Sequence, residues 1–120
     1  MRKISKQIAT AFLKGHRAKA SNTATDGQAV YLHGNMIAER RKDGVWMTLS
    51  GWGTVTTRER LNTIADAMGS EWGFCQRNGI QYLCRWNRDK QELVAISPYE
   101  WVKITESGRF NSAPQSEARS

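Results

Sequence analysis

Basic residues that alternate with aromatic residues are the feature of this sequence best suited to recognising a ligand. The candidate binding residues are Arg17, Lys19, Arg40, Arg41, Lys42, Arg58, Arg60, Tyr31 and Trp46. Lysine and arginine neutralise phosphate groups, and the faces of aromatic rings stack on unpaired bases. The combination predicts a surface that binds nucleic acid. In the alternative interpretation, the aromatic residues belong to the core and the charges form only a solvated rim.

The net charge of the chain lies entirely in its N-terminal half. Residues 1–60 contain 11 Lys and Arg against four Asp and Glu, a net charge of +7, whereas residues 61–120 contain seven of each. Such an asymmetry is typical of a basic face that meets an anionic partner. Solubility is the alternative explanation, because small proteins often carry several net charges.

Residues that could catalyse a reaction or hold a metal are few and scattered. His16 and His33 are the only histidines, and the two cysteines do not form a Cys-x-x-Cys motif, whereas a zinc site needs three or four protein ligands. The sequence also lacks a phosphate-binding glycine loop, a Gly-x-Ser-x-Gly motif and paired carboxylates. We therefore expect no metal, no cofactor and no catalytic activity. An enzyme built from residues distant in sequence stays open as a further alternative.

The two cysteines, Cys75 and Cys84, flank Asn78-Gly79, a dipeptide that strongly favours a two-residue hairpin turn. In that register Cys75 faces Tyr82, and Cys84 lies on the same face one diagonal away. Diagonal neighbours are about 7–8 Å apart, which exceeds the usual Cα separation in a disulfide. We predict a buried pair of reduced thiols.

The N-terminal half predicts a helix, a polar connection and a three-stranded antiparallel meander. The expected elements are a helix over 5–14, a loop over 15–27 and strands over 29–32, 36–38 and 45–49. His33-Gly34 and Asp43-Gly44 supply the hairpin turns, since glycine suits the positive φ that such turns require. A loop as long as the predicted connection is usually functional or mobile.

A second helix is expected after the corner Gly51-Trp52-Gly53, with a buried apolar stripe over 61–68. Thr56 and Glu59 fit a capping box at its start. Arg58 and Arg60 lie in its first turn, where a cation opposes the helix dipole at a cost of about 0.3–1 kcal/mol. This placement is a mild hint that the two arginines bind a partner, although chance is the favoured explanation of their position.

The two central tryptophans receive different predictions. Alternation along the third strand places Val45, Met47 and Leu49 on one face and Trp46 on the other. Trp46 is therefore either covered by another element or exposed for binding, and both interpretations stay open. For Trp52, which lies between two glycines at a strand-to-helix corner, a place in the core is favoured.

The whole pattern predicts an α+β fold with the element order αβββαβββ(β). One domain over 1–104 would contain an antiparallel sheet, made of the meander and a C-terminal hairpin, together with two helices. Residues 105–120 have a disordered composition. No apolar run approaches the about 20 residues that cross a bilayer, and the N-terminus does not fit a signal peptide. We expect no membrane contact and a reducing compartment.

The central stretch resembles a group of small proteins encoded by tailed bacteriophages and related mobile elements. The resemblance covers residues 12–62 and is carried by FLKG, NTATDG, YLHGNMIAERRKDG and LSGWGTVTTRERLN. The group pattern is FLxG, NTxTDG, LxLHGNxIA and GWxTxTTRxRLN, usually with a short C-terminal β segment; from Ser70 onward the resemblance is weak. It implies a phage gene product that acts in the cytoplasm of the bacterial host, and it implies no catalytic or binding residue.

Residues and resemblance together predict a non-enzymatic phage accessory protein that acts by binding. The expected partner is nucleic acid or a host nucleoprotein complex, and the resemblance implies host machines as targets, including a defence system such as CRISPR. The alternative is an inhibitor or adaptor that binds a host defence protein through exposed aromatic residues near Trp46 or Tyr31, without contacting nucleic acid.

Overall fold

A computed structural model describes residues 3–87, 89–104 and 116–117. In chain order the elements are α1 (Lys3–Lys14), β1 (Ala18–Ala20), β2 (Thr23–Thr25), β3 (Ala29–Leu32), β4 (Asn35–Arg41), β5 (Gly44–Met47), α2 (Val55–Ala67), β6 (Gly73–Arg77), β7 (Ile80–Asn87), β8 (Lys90–Ile96), β9 (Trp101–Ile104) and β10 (Ser116–Glu117). The predicted α+β class is confirmed, and all paired strands are antiparallel.

The strands form two sheets. The main sheet has the order β1-β2-β3-β4-β5-β9-β10, and the small sheet has the order β6-β7-β8. The meander is confirmed as β3 to β5. Its two-residue turn at His33-Gly34 and the turn of the small sheet at Asn78-Gly79 both have positive φ at both positions, as a type I′ hairpin requires.

The prediction of a loop over 15–27 is wrong, because this segment contains the hairpin of β1 and β2. Thr23 and Thr25 are buried, and their hydroxyls are used within the protein. The Thr25 hydroxyl donates to the Ala29 carbonyl at 2.7 Å and accepts from the Gly27 amide at 3.0 Å. A hydroxyl satisfied in this way can be buried like an apolar group, so a polar Thr-x-Thr alternation forms a strand.

A single hydrophobic core joins both helices to the inner face of the main sheet and to the small sheet. The core includes Ile8, Phe12, Val30, Ile37, Met47, Leu49, Leu61, Ile64, Trp72, Phe74, Leu83 and Val102. Helix α1 packs against β1, β2 and β3. The opposite face of these strands, called the outer face below, is the one that carries Lys19, Ala24 and Tyr31.

Two local predictions in the central stretch are wrong by one or two residues. The turn between β4 and β5 consists of Lys42 and Asp43, because Arg41 pairs with Gly44. Helix α2 is capped by Thr54 and not by Thr56, since the Thr54 hydroxyl accepts from the Thr57 amide at 3.2 Å.

The predicted tail over 105–120 lies outside the described residues except for Ser116–Glu117, which pair with β9. Its disorder therefore stays a prediction. Among the described residues, neither helix has the length and apolar character needed to cross a membrane.

Candidate nucleic-acid interface

Arg60 is a buried structural residue and is withdrawn from solvent. Its side chain is 4% exposed. Nε donates to the Thr23 hydroxyl at 2.9 Å, and Nη1 donates to the Ser5 hydroxyl at 2.7 Å and to the Glu59 carboxylate. The guanidinium thereby joins α1, β2 and α2. A charge buried in this way needs these partners, so Arg60 has no surface from which to contact phosphate.

Glu59 is the counterion of this buried arginine. Burial opposes its ionisation, but hydrogen bonds from Ser5, Thr63 and Arg60 outweigh the burial and lower the pKa of the Glu59 carboxyl from its ordinary value of 4.5. These contacts explain why Glu59 does not complete a capping box. Its carboxylate points to the helix–hairpin junction instead.

Arg40 is also used inside the protein, on the inner face of the main sheet. Nη2 donates to the Phe12 carbonyl at 2.7 Å and Nη1 donates to the Gly27 carbonyl. The guanidinium lies 4.8 Å from the centroid of the Phe12 ring. The last carbonyls of a helix lack the usual intrahelical partners, and Arg40 gives the Phe12 carbonyl a second donor beside the Gly15 amide at 3.1 Å.

Arg58 connects the start of α2 to the small sheet. Its Nη1 donates to the Gly53 carbonyl at 2.8 Å and to the side-chain oxygens of Gln76 and Gln81, each at 3.1 Å. Because α2 begins at Val55, only Arg58 lies in its first turn, and both Arg58 and Arg60 are explained by internal hydrogen bonds. Several of their partners, such as Gln76 for Arg58 and Ser5 for Arg60, lie far away in sequence, which is why the sequence alone favoured chance as the explanation.

Trp46 lies on the outer face but is covered. The guanidinium of Arg41 lies 4.8 Å from the Trp46 ring centroid and 5.0 Å from that of Trp101. The Trp46 indole also donates to Asp43 at 2.9 Å, which lowers the pKa of the Asp43 carboxyl. At 8% exposure, the Trp46 ring is not free to stack on a base.

Three of the candidate residues meet at the other end of the outer face. Lys19 pairs with Ala24, and Ala24 pairs with Tyr31, so Lys19, Ala24 and Tyr31 form one row across β1, β2 and β3. These residues line a shallow depression of about 340 Å³, and Arg17, which precedes β1, lines it as well. Lys19 and Arg17 are exposed and Tyr31 is half-buried. This group of Arg17, Lys19 and Tyr31 is called the outer row.

One carboxylate, that of Asp26, shares the depression. Hydrogen bonds from the backbone amides of Gln28 and Ala29, each 2.8 Å long, lower its pKa. Asp26 therefore closes its own turn, although Arg17 also stabilises its charge. The outer row keeps two cations against this single anion.

Lys42 is exposed but does not join the outer row. It lies six residues along the chain from Met36, which pairs with Tyr31. At about 3.3 Å per strand residue this is roughly 20 Å. The nine candidate residues therefore fall into three groups: residues that reach solvent, residues of the covered aromatic site at Trp46, and arginines that form hydrogen bonds within the protein.

Residues 1–109 match the protein family described as Kyanoviridae Gp96 protein. The chain belongs to this bacteriophage family. The match extends well beyond residues 12–62 and confirms the phage origin expected from the resemblance. No curated protein and no solved structure is significantly similar to the chain.

The cysteines of this phage protein are free, as expected, but they are only half-buried. The predicted pairing of Cys75 with Tyr82 is confirmed. Burial raises the pKa of the Cys84 thiol to about 12, and the neighbouring Cys75 thiol adds to the shift. Such a thiol stays protonated at neutral pH and is a poor nucleophile. Within the described ranges, no three His, Cys, Asp or Glu residues are grouped to hold a metal.

Proposed function

We propose that this phage protein binds single-stranded nucleic acid through the outer row, with Arg17 and Lys19 on phosphates and Tyr31 stacked on a base. The observation that supports the proposal is the cross-strand row of Lys19, Ala24 and Tyr31 with Arg17 at its end. Ala24 is small, so the ring and the ammonium group on either side of it can both be reached from solvent.

A single strand fits this surface better than a duplex. An open sheet face that presents an aromatic ring beside cations recognises bases that are unstacked and unpaired. The bases of a duplex are already stacked and would leave Tyr31 without a partner. Two cations also imply modest affinity that falls as the salt concentration rises.

Fluorescence anisotropy with labelled DNA and RNA of about 12 nucleotides, single-stranded and duplex, tests the proposal. We expect Tyr31→Ala to weaken single-strand binding by about 1–3 kcal/mol, the value of one base–aromatic stack. Tyr82→Ala is the matched control, because Tyr82 is a half-buried tyrosine on the small sheet. Equal losses in both variants, or no binding by the wild type at low salt, would overturn the proposal.

In the infected cell, the proposed target is nucleic acid that belongs to a host nucleoprotein complex, including a defence complex such as CRISPR. Membership of a phage family supports this wider role. Affinity capture from the bacterial host, with and without nuclease, tests it. Capture of the same complex after nuclease treatment would exclude the nucleic-acid route.

A protein partner is the second candidate, and one observation favours it. Trp52 and Tyr99 are both largely exposed, and the Tyr99 ring lies against Gly51, next to Trp52. Exposed apolar side chains that lie together are typical of interaction surfaces. The sequence predicted such a patch near Trp46 or Tyr31, whereas these exposed side chains lie elsewhere. For this candidate, Trp52→Ala abolishes nuclease-resistant capture and Arg17→Glu does not.

A further inference from the structure

Trp52 is 58% exposed, so the prediction that it lies in the core is wrong. Its turn is nevertheless held firmly. The Trp52 amide donates to the Leu49 carbonyl at 2.8 Å, and the Gly51 amide donates to the Pro98 carbonyl at 2.9 Å. The exposed indole is therefore presented by an ordered turn, which reduces the entropy lost when a ligand binds.

The two glycines beside Trp52 explain why the corner has this shape. Gly51 has φ +82°, and a Cβ there would lie 2.6 Å from the Tyr99 ring. A Cβ on Gly53 would lie 2.6 Å from the Gln81 amide nitrogen. The positive φ of Gly51 favours glycine there, and Gly53 lets the Gln81 side chain pack closely on the other side of Trp52.

A cavity of about 350 Å³ lies beside Trp52, between the β3–β4 turn and the start of α2. Its lining residues are Leu32, His33, Asn35, Ile37, Trp52, Thr54, Thr56 and Thr57. Leu32 and Ile37 are core residues and give it an apolar floor. The other members supply an indole, an imidazole, an amide and the Thr56 hydroxyl, while the Thr54 and Thr57 hydroxyls bind each other at 3.0 Å.

This lining selects the chemistry of the ligand. Among the described residues, the lining contains no Lys, Arg, Asp or Glu, so the group that enters should be uncharged. An aromatic wall, an apolar floor and several neutral donors and acceptors suit a flat heterocycle with polar edges. A purine uses the indole face more fully than a pyrimidine does, because its two fused rings offer a larger stacking surface.

The cavity is close to the outer row. His33, at its rim, follows Tyr31 by two residues, which is about 7 Å along an extended chain. Tyr31 lies on the outer face, whereas Leu32 and Ile37 of the cavity belong to the core on the inner side, so the strand must turn around the end of the β3–β4 hairpin to enter the cavity. We propose that the cavity beside Trp52 binds one unpaired purine base of the strand that lies on the outer row. The inference rests on the proposed function and adds a base-binding site to it.

An oligothymidylate of about 12 nucleotides with one central 2-aminopurine tests the site. We expect saturating wild-type protein to quench 2-aminopurine fluorescence, because the base stacks on the Trp52 indole. In Trp52→Ala, quenching is lost and affinity falls about 5- to 150-fold, as for one stacked base. Trp52→Phe, which keeps an aromatic face, retains part of both effects. Ile80→Ala, which removes another exposed apolar side chain, leaves both unchanged.

An abasic nucleotide in place of the 2-aminopurine provides an independent measurement. The abasic strand is expected to bind the wild type about as weakly as the intact strand binds Trp52→Ala. Trp52→Ala is expected to bind the abasic strand and the intact strand with equal affinity. If the wild type binds the strand in a Tyr31-dependent way but Trp52→Ala changes neither quenching nor affinity, the base site is overturned and the proposed function stands. If the wild type binds no oligonucleotide, both fail.

Discussion

On the inner face of the main sheet, Arg40 and Arg60 bind carbonyl, hydroxyl and carboxylate oxygens of the protein itself. On the outer face, Arg17 and Lys19 extend into solvent beside Tyr31. Both sets of cations come from the same basic half of the chain. Net charge alone therefore does not locate a binding surface, because it does not show which cations already have partners.

The same contrast holds for the aromatic residues. The Trp46 ring is covered, with Arg41 against it, although it lies on the outer face. Trp52, which looked like a core residue, is exposed beside a cavity. A ring is available to a ligand only where no side chain of the protein already covers it.

Replacing Arg60 is expected to have the largest effect on stability, because it disrupts the hydrogen bonds on the inner face of the main sheet. Arg60→Met removes the partner of Glu59 and the donor to Ser5 and Thr23. Loss of one member of a fully buried ion pair costs about 3–5 kcal/mol, and because the Glu59 side chain keeps 21% exposure, we expect a loss near the lower end of that range. Urea denaturation measures the loss in the free energy of unfolding. Arg17→Ala is the matched control and should stay within about 0.5 kcal/mol of wild type. Equal stabilities of the two variants would contradict the structural role of Arg60.

Acid should weaken the inner face through Glu59. The folded-state pKa of Glu59 is lowered, so its ionised form contributes stability above its ordinary pKa of 4.5, and this contribution is lost as the pH falls through the folded value. Glu59→Gln should be less stable than wild type at neutral pH. Below pH 4.5 the two should converge, and urea midpoints across this range measure the difference. A constant gap at all pH values would contradict the assignment.

Replacing Lys42 is expected to have the smallest effect on stability and on single-strand binding, and it tests how far the binding surface extends. It is exposed and basic, but it lies roughly 20 Å along β4 from the outer row. Lys42→Ala should change neither the urea midpoint nor single-strand affinity by more than the error of the measurements. A loss of affinity as large as that of Lys19→Ala would extend the interface along the whole sheet.

The sequence predicted those parts of the fold that depend on local chemistry. Glycine turns at His33-Gly34 and Asn78-Gly79, the apolar stripe of α2 and the alternation of β3 to β5 all follow from neighbouring residues. The strands β1 and β2 were missed because Thr23 and Thr25 are polar. Their burial depends on Arg60 and the Ala29 carbonyl, and the arginine lies more than 30 residues away in the sequence.

The candidate site was predicted only in part, and for the same reason. The nine residues contained Arg17, Lys19 and Tyr31, but only the strand register shows that these three lie together. The internal role of Arg58 depends on Gln76 and Gln81 of the small sheet. The close packing of Tyr99 and Gln81 against Gly51 and Gly53, beside the exposed Trp52, also joins distant parts of the chain. Apart from the Lys19–Ala24 pairing within the β1–β2 hairpin, these contacts join residues that are distant in sequence.

The salt dependence of single-strand binding by Arg17→Ala/Lys19→Ala, measured beside wild type, tests the central claim most directly. If both cations contact phosphate, the slope of log K against log salt should be less steep in the double variant by about 1.4. The urea midpoint should stay unchanged, because neither side chain is buried. Equal slopes in the two proteins would contradict the claim that the outer row binds nucleic acid.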